Sequence, residues 1–275
     1  MAEKQQTALS KYRGEDRVIS SHKMAQKLKE KKVSIVRVKT LMPSVDALIG
    51  EFRDGELIVI SGPTKEGKTL LAQTWTINFA IQHRFPLWFS YEVPVGQFLE
   101  QFPSLPHFYL PQKLQAHAMD WLEERVYECY QKHKTRIIFI DHLHYLMDLA
   151  RIKNPSIEIG TVIRQLKRLA VEGGFLIFLI AHTVKGKSEK NLSYESIRDS
   201  SFISQESDCV IMIKRTPKEG ENASRLRVEF HRRTGVIEKI VDLKKRNGLL
   251  TEPKKTPPEP EAEGADSLGG EESEF

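Results

Sequence analysis

The chain has 275 residues with 42 lysines and arginines against 37 acidic residues, a net charge of +5 at pH 7. Its hydrophobic content of 40% suffices for one full α/β domain with extensions. No segment is apolar over the length of a membrane span, and the first residues lack the apolar centre of a signal peptide, which argues against a membrane protein. We therefore expect a cytoplasmic protein with no membrane partner.

The charge is unevenly distributed along the chain. Residues 251–275 hold eight acidic and two basic residues, so they contribute −6 and residues 1–250 carry +11. A basic body suits a polyanionic partner such as nucleic acid. The acidic tail is rich in Pro, Glu, Gly and Ser and cannot bury enough apolar surface to fold, so we expect it to be disordered. Recruitment of a partner protein is the alternative interpretation of the tail.

Residues 1–40 are predicted to form a basic arm. Positions 17–32 are compatible with a helix that has an apolar stripe of Val18, Met24 and Leu28, and an extended segment at 33–38 follows. An arm with such a stripe packs either on its own core or on a neighbouring subunit.

Residues 41–250 show the alternation of a βα fold. After a short helix at 43–49, apolar strands at 57–61, 87–91, 136–141 and 175–181 alternate with helices at 68–82, 95–102, 114–133 and 157–172. Three further strands follow at 209–215, 225–231 and 236–242. Continuous apolar strands are typical of a parallel sheet covered on both faces, so the sequence predicts a mostly parallel sheet with an antiparallel edge extension. Cys129 and Cys209 are expected to be buried thiols without a disulfide.

The segment GPTKEGKT matches the phosphate-loop pattern G-x-x-x-x-G-K-[ST] and directly follows the first apolar strand. In such a loop the backbone N–H groups face the phosphates, Lys68 reaches the β- and γ-oxygens, and the Thr69 hydroxyl can bind Mg²⁺. The sequence thus predicts a nucleoside triphosphate site. Its expected binding residues are Gly62, Pro63, Thr64, Lys65, Glu66, Gly67, Lys68, Thr69 and Leu70.

Two carboxylates follow neighbouring strands. Asp141 ends the strand at 136–141, where a second Mg²⁺ ligand opposite Thr69 is needed. Glu92 follows the strand at 87–91 and should face the crevice at the strand ends, where it could orient and deprotonate the attacking water. His142 and His144 lie close to Asp141, but no second Cys/His cluster is visible in the sequence, so a dedicated transition-metal site is not expected.

Five segments occur in an order that resembles one known family. They are MPSVDALIGEFRDGELIVISGPTKEGKT, PLWFSYEVP, RIIFIDHLHYL, SIEIGTVIRQLKRLAVEGGFLIFLIAH and YESIRDSSFISQESDCVIMIKR. Together they resemble the RecA-like motor domain of DnaB-type replicative helicases, which include phage primase-helicases and the Twinkle helicase. The resemblance implies a RecA-like P-loop NTPase fold for residues 41–250, with ATP and Mg²⁺ as cofactors.

The resemblance also implies roles for residues late in the chain. His182 is similar to the family's γ-phosphate sensor. The loop with Lys185, Lys187 and Lys190 is similar to the central-channel loop that binds single-stranded DNA in the family. Arg198 is also expected to contact the DNA. A solvated basic loop is the alternative for the three lysines.

The segment after strand 225–231 is similar to the family's arginine-finger hairpin. Arg232 is favoured as the catalytic finger delivered to the adjacent subunit, with Arg233 as the second choice. Protection of a sheet edge against aggregation is the alternative role for this pair of arginines.

The chain has no room for a globular N-terminal domain or a primase beside the motor, so we expect a compact helicase of a phage or mobile element, or a motor that depends on partners. The arm lies where the family has its subunit-linking helix, which implies a homo-oligomer, expected to be a hexameric ring. A replication or loader protein could bind the arm or the tail.

The sequence therefore favours an ATP-dependent, ring-forming helicase or translocase on single-stranded DNA in replication. The alternatives are a RecA-, RadA- or KaiC-like ATPase that remodels DNA without unwinding it, and a nucleotide-gated DNA-binding accessory or loader protein.

Overall fold

The structure is a computed structural model that describes residues 13–14, 16–30, 36–147, 155–182 and 200–253. Helix α1 (Ser21–Glu30) precedes a two-stranded antiparallel pair, β1 (Arg37–Val38) and β2 (Phe52–Arg53), which flanks α2 (Pro43–Ile49). The elements that follow are β3 (Leu57–Ser61), α3 (Lys68–Ile81), β4 (Leu87–Ser90), α4 (Val95–Glu100), α5 (Met119–His133), β5 (Ile137–Asp141), α6 (Pro155–Gly173), β6 (Leu176–Ile180), α7 (Ser200–Glu206), β7 (Cys209–Arg215), β8 (Ala223–His231), β9 (Val236–Arg246) and β10 (Leu249–Thr251).

The main sheet of the described chain has eight strands in the order β10-β9-β8-β7-β3-β6-β5-β4. Strands β4, β5, β6, β3 and β7 are parallel, whereas β8, β9 and β10 are antiparallel and extend one edge. The predicted mostly parallel sheet with an antiparallel edge extension is therefore confirmed. Within the described ranges, no helix combines the length and the apolar character needed to cross a bilayer.

Apolar side chains cover both faces of the parallel strands. Every residue of β3, β4, β5 and β6 is buried, which explains why these strands are continuous apolar runs in the sequence. On one face Trp75 and Phe79 of α3 belong to the core, and on the other face side chains of α5 and α6 do so. Cys129 and Cys209 are buried free thiols, as expected.

An aromatic stack crosses three adjacent parallel strands on the α3 face. The ring of Phe139 lies 4.7 Å from the Trp88 ring and 4.5 Å from the Phe178 ring, nearly parallel to both. The Phe178 ring also packs against the ring of Phe79 at 5.7 Å, tilted by 38°. Aromatic contacts of this kind add to the free energy that burial alone supplies.

Phe178→Ala should lower the free energy of unfolding by about 3–5 kcal/mol, because it opens a cavity where three strands and α3 meet. Urea unfolding followed by circular dichroism measures this loss. The matched control is Ile81→Ala, at a side chain 65% exposed on the same helix α3. A Phe178→Ala midpoint equal to that of Ile81→Ala would show that the stack contributes nothing beyond surface contact.

The folded part extends past the predicted boundary at residue 250. Strand β10 includes Thr251, and the carboxylate of Glu252 accepts hydrogen bonds from the Ser44 backbone N–H (2.7 Å) and hydroxyl (2.9 Å). The first residues predicted to belong to the acidic tail are therefore tied to α2. Residues 254–275 of the tail lie outside the described residues.

Candidate active site

The phosphate-loop segment connects β3 to α3 across the carboxyl edge of the parallel strands. Gly62 adopts a φ of 144°, and a Cβ added to it would lie 2.2 Å from the Ile213 carbonyl oxygen of β7, so only glycine fits there. Gly67 precedes α3 in the left-handed region, with a φ of 98°, and no side chain of the described residues caps the helix. The first N–H groups of α3 are thus available to an anion.

Lys68 is buried at the first turn of α3. Its ammonium group donates to the carbonyl oxygens of Gly62 (3.0 Å) and Pro63 (2.7 Å). Burial lowers the pKa of Lys68 to about 8, although the carboxylates of Asp141, Glu92 and Glu66 oppose this shift. Lys68 is therefore mostly protonated at pH 7. A bound phosphate could replace the hydration that its ammonium group loses on burial.

Thr69 and Asp141 face each other between α3 and β5. The Thr69 hydroxyl donates to Asp141 Oδ2 at 2.8 Å, while Asp141 Oδ1 is buried and has no hydrogen-bond partner among the described residues. Burial raises the pKa of Asp141 to about 7, and the Glu92 charge adds to this, whereas the Thr69 hydrogen bond and Lys68 oppose it. A hydroxyl beside an unpartnered carboxylate oxygen is a donor set that fits Mg²⁺.

Asp141→Asn should raise the melting temperature of the nucleotide-free protein at pH 8. The folded-state pKa of Asp141 lies above its ordinary value, so the fold favours the protonated carboxyl and loses stability as the pH rises from about 4 to about 7. Asparagine does not titrate, so its advantage grows over that window and stays constant above it.

Differential scanning fluorimetry at pH 5, 6, 7 and 8, with and without Mg²⁺ and nucleotide, tests this effect. The same substitution should abolish the Mg²⁺-dependent part of the nucleotide stabilisation, because it removes the anionic ligand. A variant less stable than the wild type at pH 8 would contradict the cost that we assign to the buried, charged Asp141 carboxylate.

Glu92 and His182 lie at the mouth of the same crevice. The N–H of Tyr91 donates to the Asp141 carbonyl at 2.7 Å, which joins the ends of β4 and β5 and places Glu92 beside the site. Glu92 is exposed. His182 follows β6, and its buried Nδ1 has no hydrogen-bond partner within the described part of the chain. Burial, then Lys68 and His144, lower the pKa of His182 to about 4, so its ring is neutral at pH 7 and one nitrogen can donate to a phosphate oxygen.

One cavity of about 350 Å³ brings most of the predicted residues together. Its lining includes Thr64, Lys65, Gly67, Lys68, Thr69, Leu70, Glu92, Asp141 and His182. Gly62, Pro63 and Glu66 are not among its lining residues. Glu66 instead accepts a hydrogen bond from the Arg215 N–H, which links the loop to the end of β7.

A second cavity adjoins the loop on the side of the antiparallel strands. It measures about 210 Å³ and is lined by Lys65, Gly67, Leu70, Arg215, Asn222, Ser224, Lys245 and Leu250. The last five of these residues could not be assigned to the site from the sequence, because they lie more than 140 positions after the loop. A larger cavity of about 580 Å³ lies at the opposite edge of the sheet, beside Leu87, Tyr109 and Trp121, and contains none of the predicted residues.

Arg232 and Arg233 lie at the other end of the strands from the phosphate loop. Because β8 runs antiparallel to β7, it ends where β7 begins, and the Arg232 N–H donates to the Asp208 carbonyl at 2.8 Å. The Arg232 side chain donates to the carbonyls of Ser204 and Gln205. Neither arginine lines the cavity that holds Lys68 and Asp141.

Arg233 is bound within its own subunit. Its Nε donates to Glu56 Oε1 at 2.8 Å, and its terminal nitrogen donates to the carbonyls of Ile49 and Glu51. Glu56 is itself 8% exposed, so this ion pair is well shielded from solvent. Lys185, Lys187, Lys190 and Arg198, the predicted DNA contacts, lie outside the described residues.

Comparison with solved structures identifies the fold. A solved structure described as an ATPase domain matches with a TM-score of 0.71 at 15% identity, over 85% of this chain and 97% of that one. A DnaB-like replicative helicase, described with its interactions with primase, matches with a TM-score of 0.70 at 15% identity, over 88% of this chain and 69% of that one. The fold is therefore that of the RecA-like helicase ATPase domains, as predicted.

Comparison of sequences identifies the family. The replicative DNA helicase DnaB of Pasteurella multocida (strain Pm70) is 24% identical over 260 residues, which cover 78% of this chain and 52% of that protein. The chain thus spans about half the length of this curated relative. The family model described as "DnaB-like helicase C terminal domain" matches residues 107–254, more than half of the chain. The chain therefore belongs to the DnaB-like helicase C-terminal domain family.

Proposed function

We propose that the chain is the ATP-hydrolysing motor of a ring-forming helicase that moves along single-stranded DNA during replication. The observation that carries this proposal is the convergence of Lys68, Thr69, Glu92, Asp141 and His182 on one cavity at the carboxyl ends of the parallel strands. Such a constellation supplies the parts that phosphoryl transfer to water needs. The cytoplasmic location stays a prediction.

These five residues divide the tasks of hydrolysis among them. The N–H groups at the start of α3 and the Lys68 ammonium hold the β- and γ-phosphates of ATP. Thr69 and Asp141 would hold Mg²⁺, which would neutralise part of the negative charge of the phosphates. Glu92 orients the attacking water and takes its proton, and the neutral His182 donates a hydrogen bond to the γ-phosphate.

The nucleoside end of the substrate would occupy the second cavity of about 210 Å³. Lys65, Gly67 and Leu70 line both cavities, so a single nucleotide could extend from one to the other. In this arrangement Arg215, Asn222 and Lys245 would lie beside the nucleoside end of the bound nucleotide.

Assembly would complete the site. Arg232 follows the end of β8 that is remote from its own phosphate loop, which supports delivery of its guanidinium to the site of an adjacent subunit. Helix α1 buries no residue, and Val18, Met24 and Leu28 of the arm are 99%, 48% and 55% exposed. Packing of this apolar stripe on a neighbour is the arrangement we propose for a homo-oligomeric, hexameric ring.

The proposed track is single-stranded DNA, held by Lys185, Lys187, Lys190 and Arg198 through phosphate contacts that salt weakens. The net charge of +11 on residues 1–250 supports an anionic partner. The curated relative is named a replicative DNA helicase, and a solved relative is described with its interactions with primase. We extend this to a replication or loader protein that binds the arm or the acidic tail of this chain.

ATP hydrolysis measured over a protein concentration series, with and without single-stranded DNA, tests the proposal, with Lys68→Ala as the inactive control. We expect turnover that DNA stimulates and that rises cooperatively with protein, together with strand separation on a forked duplex. Turnover without strand separation would instead identify a DNA-remodelling ATPase. DNA binding without turnover would identify a nucleotide-gated accessory protein.

A further inference from the structure

Three metal-binding side chains converge from three neighbouring strands. Glu92 follows β4, His142 follows β5 and His182 follows β6, and these strands are adjacent in the sheet. The three residues each offer one ligand atom, and these atoms lie within 4.8 Å of one another. The rings of His142 and His182 are only 4.5 Å apart.

The chemistry of this set differs from that of the Thr69 and Asp141 pair. Two imidazoles with one carboxylate are preferred by zinc and similar transition metals, whereas Mg²⁺ prefers oxygen ligands alone. Zinc bonds of about 2.0–2.2 Å place tetrahedral ligand atoms about 3.4 Å apart. Glu92 is exposed, so its side chain is free to rotate and bring the carboxylate closer to the two imidazoles.

Unpaired and oriented ring nitrogens provide independent support. Among the residues that the structure describes, His182 Nδ1 is buried and has no hydrogen-bond partner, which is uncommon for a buried polar atom, and a metal bonded to it would supply the partner. His142 Nδ1 lies 3.3 Å from His144 Nδ1 and 3.4 Å from the His144 N–H nitrogen. In the tautomer whose Nδ1–H donates to His144 Nδ1, the His142 Nε2 is unprotonated and available to a metal, which is the arrangement that ligating histidines commonly have.

We propose that Glu92, His142 and His182 form a binding site for a zinc-type transition-metal ion that inhibits ATP hydrolysis. The ion would withdraw the Glu92 carboxylate from the attacking water and His182 from the γ-phosphate. The inhibition rests on the function proposed for Glu92, whereas binding of the ion does not.

Binding is tested with Zn²⁺ alone, on the full nucleotide-free chain, by competition with a chromophoric chelator. We expect the wild type to hold one ion at this site, and His142→Asn and His182→Asn each to weaken its binding at least tenfold. His133→Asn, at an exposed histidine of α5, is the matched control and should bind like the wild type. Co²⁺ in place of Zn²⁺ should give the intense visible absorption of a four-coordinate site in the wild type and in this control, and not in the other two variants.

Circular dichroism of each variant verifies that it is folded. Wild-type affinity in both His142→Asn and His182→Asn would overturn the site. Loss of binding in His133→Asn with retention in His142→Asn would assign the ion elsewhere and overturn it as well.

Inhibition is tested by ATP hydrolysis at fixed Mg²⁺ with free Zn²⁺ set by a metal buffer. The wild type should be inhibited over the concentration range in which it binds Zn²⁺, and His142→Asn should need at least tenfold more free Zn²⁺ for the same inhibition. Binding without inhibition would overturn the inhibitory role. If the wild type fails to hydrolyse ATP without zinc, the proposed function fails, and the chelator titration still decides the metal site.

Discussion

Arg232→Ala is expected to reduce kcat for ATP hydrolysis by about 10³–10⁵-fold, the effect of removing an arginine finger. Its side chain is exposed and donates to two carbonyl oxygens of the α7 segment, so truncation should change the stability of the subunit little. Nucleotide affinity should persist, because Lys68 and the loop N–H groups of the same subunit are unchanged. Steady-state hydrolysis and binding of a fluorescent ATP analogue measure the two quantities.

Arg233→Ala is the matched control for Arg232→Ala. Removal of this guanidinium leaves the shielded Glu56 carboxylate without its 2.8 Å partner, which should cost about 1–3 kcal/mol of unfolding free energy. We thus expect Arg232→Ala to lose turnover and Arg233→Ala to lose stability. A loss of kcat confined to Arg233→Ala would reverse our assignment of the finger.

A mixing experiment distinguishes action between subunits from action within one. Arg232→Ala subunits retain Glu92, and Glu92→Gln subunits retain Arg232. A mixture should therefore hydrolyse ATP faster than the sum of the two separate preparations, because some interfaces combine an intact Glu92 with an intact Arg232. A mixture no faster than that sum would contradict delivery in trans.

Glu92→Gln should lower kcat by about 10²–10⁴-fold, the usual contribution of a general base. Glutamine keeps the size and hydrogen-bonding reach of the side chain but cannot accept the proton of the attacking water. The substitution also removes a negative charge that raises the pKa of Asp141. Affinity for Mg²⁺ and ATP should therefore be retained or rise slightly while turnover is lost.

Single-turnover hydrolysis with equilibrium nucleotide binding measures both parts of the Glu92→Gln prediction. Glu100→Gln, at an exposed carboxylate that ends α4, removes the same charge outside the cavity and should leave kcat unchanged. Equal turnover in both variants would exclude Glu92 as the base and assign activation of the water to another group.

Much of the fold was predictable because buried strands and helices have recognisable patterns of apolar residues in the sequence. The helix predicted at 43–49 and the strands at 57–61 and 209–215 coincide with the observed α2, β3 and β7. Glu92, Asp141 and His182 could be grouped because the carboxyl ends of parallel strands meet at one edge. The helix predicted from residue 114 begins only at Met119, after His117 has adopted a left-handed φ of 58° that interrupts the helical pattern.

Contacts between distant parts of the chain were not predictable. The composition around Glu252 assigns this residue to the acidic tail. Its hydrogen bond with Ser44 forms because β10 ends beside α2, which the sequence does not reveal. The cluster of Glu92, His142 and His182 escaped notice because its members are separated by at least 40 positions, whereas His142 and His144 drew attention by proximity. The location of Arg232 could have been found by following strand direction from β3 through β7 to β8.

If Arg232 acts in the site of an adjacent subunit, as we propose, its separation from its own phosphate loop restricts the symmetry of a productive assembly. The surface of one subunit that carries Arg232 must then meet the surface of its neighbour that carries the phosphate loop, which is a head-to-tail contact. A two-fold dimer instead pairs the same surface patch of both partners. An open row of subunits would then always end in one unpaired site without an arginine. Closure by rotation removes that incomplete end, so every copy in a closed assembly can turn over.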